Sequence, residues 1–426
     1  MKMSARTIPA EHEEAVIATI AEARRAGTRF RVAGSGGSKS DVTSKGDRLL
    51  RLRQPHDRIE VEGNRVTAPA DMTNGRFLDL LAEHELILPT VGEWRNATLA
   101  GAFSTGTHGG SARHGITATS LRAVRLVDGR GEVRTLRTGD ADFRHVGVNL
   151  GMLGVITRVS FACEARFSLR LTTDVVDFEE YVRDPIAQES RAEFHASVWD
   201  PNARRVVRFA AGRAPAPARP VRRELRFGWR TAIATFLARR LRFHAAVSSR
   251  VFHASASGDA ADILSPIDIS PQTAQFRILA NGMFQLAAEL ALDAGAAGEA
   301  LARLEALFRR HRTRLRNPIG IRLTRGDDFS LSPAYGRDTL WLDVFFYNRE
   351  PFISELRALV EELGARCHWG KTMILGPEAV RRQYPEWDAF VEARRRFDPD
   401  GVFGNAFTDR YGFTTPRGDV VPQRDG

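Results

Sequence analysis

Two glycine-rich stretches and three basic or imidazole side chains are where this sequence can do chemistry. The first stretch reads Gly34-Ser35-Gly36-Gly37-Ser38-Lys39. Glycines without a Cβ let successive backbone N–H groups wrap a phosphate oxygen, although taken alone the same stretch also suits a plain turn. A dinucleotide fingerprint G-x-G-x-x-G beginning at Gly34 needs a glycine where Lys39 stands and a helix directly afterwards. The sequence offers neither, which argues against a Rossmann site. About seventy positions later, Gly101-Ala102-Phe103-Ser104-Thr105-Gly106-Thr107-His108-Gly109-Gly110 adds small residues and threonine hydroxyls. Two such loops in one unit can grip the two phosphates of a dinucleotide from both sides, with His108 bracing the second loop. Of the 62 basic residues only four are lysine, and Lys371 is the sole one after Lys45. Its compact ammonium is not reproduced by a broad guanidinium. Close by, His368 suits proton abstraction or hydrogen bonding near neutral pH. Arg322 can meet an anionic group on a substrate. No H-E-x-x-H or G-x-S-x-G pattern is present, so neither a metal centre nor a serine hydrolase is expected.

These residues need elements to hold them. Apolar spacing predicts a helix over Glu11 to Arg25, a short strand over Phe30 to Ala33 entering the first glycine turn, and extended Leu49 to Leu52. Arg58 to Glu62 and Arg65 to Ala68 alternate around Gly63-Asn64 as a hairpin. A helix over Gly75 to Glu85 precedes the second loop. Strands follow at Ala123 to Val127, Glu132 to Leu136 and Leu153 to Phe161, with a helix and loop within Thr138 to Asn149. Beyond residue 166 the strand candidates are Phe276 to Leu279, Ile319 to Thr324 and Leu340 to Tyr347. A helix within Ala287 to Arg312 carries Leu301, Leu304, Leu307 and Phe308 inward, and another spans Pro351 to Leu363. Gly212 to Arg223, rich in Pro, Ala and Arg, reads as an exposed loop. The class is α+β, with a sheet covered on one face by helices.

Composition sets outer limits. A chain of 426 residues with 43% hydrophobic and 27% charged residues is globular and built of two or three units. A net charge of +10 raises nucleic acid as a partner, but the arginines are dispersed and lysine is scarce, so nucleic-acid binding is not expected. No apolar run approaches the roughly 20 residues of a membrane span. The start lacks an apolar signal core, and a soluble cytoplasmic protein is expected. Cys163 and Cys367 are too few for a disulfide framework and are expected as buried free thiols.

The loops, together with Asn149-Leu150-Gly151-Met152-Leu153-Gly154-Val155-Ile156, resemble the FAD domain of the vanillyl-alcohol oxidase type flavoproteins over residues 10 to 165. Toward the other end, Leu331 to Arg337, His368-Trp369-Gly370-Lys371, Tyr384-Pro385-Glu386-Trp387 and Phe397-Asp398-Pro399-Asp400-Gly401-Val402-Phe403-Gly404-Asn405 are similar to the sugar-lactone oxidases and alditol oxidases. The resemblance implies a two-lobed enzyme. Residues 1–165 form an FAD-binding domain, 166–380 a substrate cap, and 381–426 a segment returning to the FAD domain. Flavin takes hydride from a carbon bearing a hydroxyl, and oxygen or another electron acceptor completes turnover. Cofactor contacts are implied at Gly34, Ser35, Gly36, Gly37, Ser38, Ser104, Gly106, Thr107, His108, Gly109, Gly154, Ile156 and Asn405. Lys371, His368 and Arg322 are implied at the reacting end, with Tyr335 and Trp369 lining it.

Two departures from the family bear on function. Relatives carry a histidine, bonded to flavin, where this chain has Gly37, so the FAD is expected to be noncovalent. Relatives also carry Glu-x-Arg where this chain has Gly320-Ile321-Arg322. Without that carboxylate the expectation is a small-molecule substrate other than a simple polyol, bulkier or less polar, oxidised at a C–O or C–N bond. The alternatives are a sugar-lactone or alditol oxidase in which Asp327 or Asp328 replaces the missing acid, and a flavin-binding protein whose catalysis has decayed.

Overall fold

The first helix, Glu13–Arg25, buries Val16, Ile20 and Ala23 on one stripe. The His12 ring accepts from Ala15 N–H, Glu13 and Glu14 occupy its first turn and Arg24 and Arg25 its last, which complements the helix dipole. Strands Thr7–Ala10, Leu49–Leu52 and Arg31–Val32 lie beside it as a small parallel sheet. A computed structural model describes residues 7–44, 46–92, 94–201, 203–214, 262–264, 285–311 and 319–415.

After the first glycine turn no helix forms until Asn74–Glu83, as its lack of helical periodicity implied. Glu60–Glu62, Arg65–Pro69, Val155–Ala162, Leu121–Val127 and Val133–Arg137 make a five-stranded antiparallel sheet in that order. The second glycine stretch opens as a single helical turn, Leu99–Phe103, capped by Thr98.

Residues 168–367 supply an antiparallel sheet of eight strands. Their order is Asp262–Leu264, Ser168–Asp177, Arg205–Ala214, Phe194–Asp200, Ile319–Thr324, Thr339–Tyr347, Gln285–Asp293 and Arg366–Cys367. Side chains alternate across a pleated sheet. Trp199 and Phe346 meet Phe308 and Phe352 of helices Ala297–Arg310 and Phe352–Glu362 on one face. The opposite face looks toward the glycine loops. The predicted inner residues Leu301, Leu304, Leu307 and Phe308 are all buried. Gly212 to Ala214 belong to a strand and not to the expected loop, whereas 215–223 and the strand expected at Phe276 to Leu279 lie outside the described residues.

The last helices, Pro377–Gln383, Trp387–Phe397 and Ala406–Arg410, are tied to the amino-terminal part of the chain. Arg24 pairs with Asp400 at 2.7 Å, Arg29 with Asp409 at 2.8 Å and Asp41 with Arg410 at 2.8 Å. The buried Arg31 guanidinium donates to the carbonyls of Val42, Leu150 and Phe403. Burial lowers its pKa to about 10. Cys163 and Cys367 are buried and free; burial raises both thiols to about 12. No helix among the described residues is long and apolar enough to cross a membrane.

Candidate active site

A cavity of about 580 Å³ lies between the glycine loops and the helix-free face of the large sheet. On one side are Gly34, Ser35, Gly36, Gly37 and Ser38. The amides of these five residues donate to no protein acceptor among the described residues, whereas Lys39 N–H donates to Gly370 O at 2.7 Å. Gly36 has φ +77°, a conformation that turns neighbouring amides toward one concavity. A strip of unspent donors with that turn fits the phosphates of a dinucleotide.

The second loop behaves differently. The amides of Ser104, Thr105, Gly106 and Thr107 are spent on the carbonyls of Ala100, Ala102 and Phe103, and Asn149 Nδ2 donates to Ser104 Oγ at 3.1 Å. Ser104, Thr107 and His108 reach the cavity wall together with Gly154 and Ile156, whereas Gly106 and Gly109 do not. Asn405 also lies elsewhere. It caps Ala406–Arg410 in a reciprocal capping box and donates to Asp47 at 2.9 Å, so it stabilises the returning segment instead of lining the cavity. Trp369 is buried with Nε1–H bonded to Leu331 O, and the Tyr335 hydroxyl donates to Glu386; neither lines the site.

The sheet provides the other wall. Ala287 and Glu289, Gly320 and Arg322, and Asp343 and Phe345 are alternate residues of three adjacent strands, and all six face the cavity. Cross-strand register sets Gly320 opposite Asp343 and Asp343 opposite Glu289, so these three stand in one row. Lys371 bridges the two acids, its Nζ 3.3 Å from Asp343 and 3.5 Å from Glu289. Glu289 Oε1 also lies 3.2 Å from His108 Nε2, and the His108 ring stacks on Trp341 at 3.8 Å between centroids. Burial pushes the Glu289 pKa up, but Lys371 and His108 outweigh it and hold the carboxyl well below its ordinary value.

His368 lies on the same wall and its ring is held neutral. Burial lowers its pKa to about 3, so the ring is neutral at pH 7. Its Nδ1 accepts from Gly370 N–H at 2.9 Å, which leaves the proton on Nε2. His108, Glu289 and His368 approach one another closely enough to suggest a metal. However, the tautomer of His368 and the ammonium beside Glu289 make the group an ion-pair network instead of a set of free lone pairs.

Asp327 and Asp328 do not supply the acid absent from position 320. Asp327 accepts from Ser332 Oγ at 2.6 Å and from Phe329 N–H, and both aspartates border a separate depression beside Thr119 and Asp140. Glu289 and Asp343 are the acids on the sheet wall of the cavity, and sequence reasoning passed over both. Each is the only charge within an apolar strand segment, Leu286 to Leu292 and Leu340 to Tyr347; a lone acid in such a run is the signal that would have found them. The expectation of a less polar substrate rested on an acid-free wall, and the wall carries two acids.

Two loops meeting under a helix-backed sheet, with unspent amides on one side and an ion-pair network on the other, define an FAD-linked oxidoreductase. The FAD binding domain model matches residues 5–137. The chain belongs to the D-arabinono-1,4-lactone oxidase family, whose model matches residues 159–411. It is 28% identical to the L-gulono-1,4-lactone dehydrogenase of Mycobacterium tuberculosis over 92% of each chain. With the L-gulonolactone oxidase of Bos taurus it shares 24% identity over 93% of this chain and 92% of that one. Among solved structures, a solvent-stable cholesterol oxidase superposes with a TM-score of 0.71 at 15% identity, covering 95% of this chain and 94% of that one. That likeness shows the fold, the expected two-lobed architecture.

Proposed function

We propose that this chain oxidises a hydroxyl-bearing carbon of an aldono-1,4-lactone with noncovalently held FAD. The observation that carries the reading is the row of acids with Lys371, Arg322 and His368 on one cavity wall. A polyhydroxylated ring offers donors and acceptors in alternation, and such a wall can pair with both. The family membership and the names of the relatives support the sugar-lactone alternative over the less polar substrate expected from Gly320.

In this reading residues 1–165 and 381–426 make the FAD lobe and 166–380 the cap. When bound, FAD supplies hydride acceptance. Gly34 to Ser38 hold its phosphates, with Ser104, Thr107, Gly154 and Ile156 on the cavity wall beside them. Lys371 places a positive charge where negative charge develops at the reacting end. Arg322 sits beside Gly110 and lines the same wall, where it orients the lactone. His368 Nε2–H donates to a substrate oxygen. Gly37 provides no atom for a bond to the cofactor.

Anaerobic mixing of the flavin-loaded protein with a panel of aldonolactones, alditols, apolar secondary alcohols and amines tests the reading. Bleaching by an aldonolactone is expected. Bleaching by apolar alcohols or amines alone refutes it, and failure of every donor with FAD still tightly bound indicates decayed catalysis. Oxygen uptake then separates oxidase from dehydrogenase turnover.

A further inference from the structure

The acid absent from position 320 leaves a gap with a defined neighbour. A Cβ built on Gly320 lies 3.6 Å from Asp343 Cβ and 3.7 Å from Arg322 Nη1. A longer side chain there would enter the space between the Arg322 guanidinium and the Asp343 side chain. Asp343 is directly across the strand pair and faces the same cavity. Resting on the aldonolactone reading above, we propose that Asp343 is the residue that accepts a hydrogen bond from a substrate hydroxyl. It replaces, from the adjoining strand, the acid that position 320 lacks.

Glu289 stands one strand further from position 320, and its two oxygens face His108 and Lys371. Both Asp343 oxygens lie 3.3 Å from the same Lys371 Nζ, longer than the roughly 2.7–2.9 Å of a close charged hydrogen bond. The ammonium thus helps to orient the Asp343 carboxylate. Glycine at 320 keeps the space beside Asp343 open for the hydroxyl. A third acid there would crowd the two already in the row with a like charge.

The test compares flavin reduction by a reactive aldono-1,4-lactone with reduction by analogues that each lack one hydroxyl. Asp343→Asn should bind FAD normally and lose about 10- to 150-fold in kcat/KM for the complete lactone, the range for a hydrogen bond to a charged group. With one deoxy analogue the variant and the parent should react alike, because the lost partner is absent from both. Gly320→Glu should weaken the parent but recover at least about tenfold in the Asp343→Asn background, one such hydrogen bond regained. An equal loss with every analogue would overturn the proposal and leave Asp343 as a counter-ion for Lys371. So would failure of Gly320→Glu to rescue the variant. If no aldonolactone bleaches the parent protein, the functional reading falls and this assignment with it.

Discussion

The contact between Gly37 and Trp94 yields the most demanding prediction about the cofactor. Trp94 is one of two large hydrophobic side chains well exposed among the described residues, at 45%. It borders the cavity, and a Cβ built on Gly37 falls inside its ring. The indole thus fills the space into which a side chain at position 37 would project, and in the proposed reading it would offer an aromatic face to bound FAD. Covering its exposed part removes about 100 Å² of the roughly 250 Å² that an indole can bury, worth about 2.5 kcal/mol at about 25 cal/mol per Å². Ordering the side chain takes back about 1 kcal/mol. The remaining 1.5 kcal/mol or so is about tenfold in affinity. Trp94→Ala should therefore raise the FAD dissociation constant about tenfold, read from flavin fluorescence during titration of stripped protein. In the parent, acid precipitation should release all the flavin. Gly37→His alone should bind FAD poorly because imidazole and indole compete for one space, and adding Trp94→Ala should restore binding. An FAD affinity unchanged by Trp94→Ala, or Gly37→His tolerated equally well with and without Trp94, would refute the reasoning.

Lys371→Met should retain FAD but slow its reduction by substrate about 10²-fold, the scale for removing one preorganised charge; an unchanged single-turnover rate contradicts the assigned role. His368, depressed to about 3 in the folded protein, takes up a proton in the unfolded chain below about 6.5 but not in the fold. Stability should therefore drop as pH falls from about 6.5 toward 3, by about 2 kcal/mol at pH 5. His368→Gln should flatten that part of the Tm profile, and an equal slope in the variant counts against the burial argument. Asp327 is raised by burial to about 7, so its charged form is penalised progressively as pH rises from about 3.8 to 7. Asp327→Asn should stabilise the protein by about 2 to 4 kcal/mol at pH 8 and change little at pH 4, measured by thermal unfolding at both values.

The amino-terminal part of the fold was legible because its signals are local. The Glu13–Arg25 stripe, the hairpin around Gly63-Asn64 and the two glycine stretches each declare themselves within a dozen residues. The strands Ser168–Asp177, Phe194–Asp200 and Arg205–Ala214 were missed: Phe194–Asp200 is buried on both faces and the first half of Arg205–Ala214 nearly so, which weakens polar alternation there. Ser168–Asp177, with Arg170, Thr172 and Asp174 exposed, is defined by its pairing with Arg205–Ala214. The alanine-rich run at 285–293 was absorbed into the following helix, since alanine favours helices and only pairing with Thr339–Tyr347 makes it a strand. That error hid Glu289. Asp343 stayed hidden for a different reason: its importance comes from standing between Gly320 and Glu289, a relation between three strands that no spacing along one of them encodes. His368 was found by type, but its role depended on a single amide, Gly370 N–H, that fixes which nitrogen holds the proton.

Lys39 N–H and Ser40 Oγ–H are both committed to carbonyls of the turn that carries Lys371, Gly370 and Trp369, at 2.7 and 2.6 Å. The first glycine turn and the Lys371 ammonium are thereby fastened into one mechanical piece. In the proposed reading, a substitution that frees either carbonyl disturbs the phosphate-binding turn and the charge beside the substrate together.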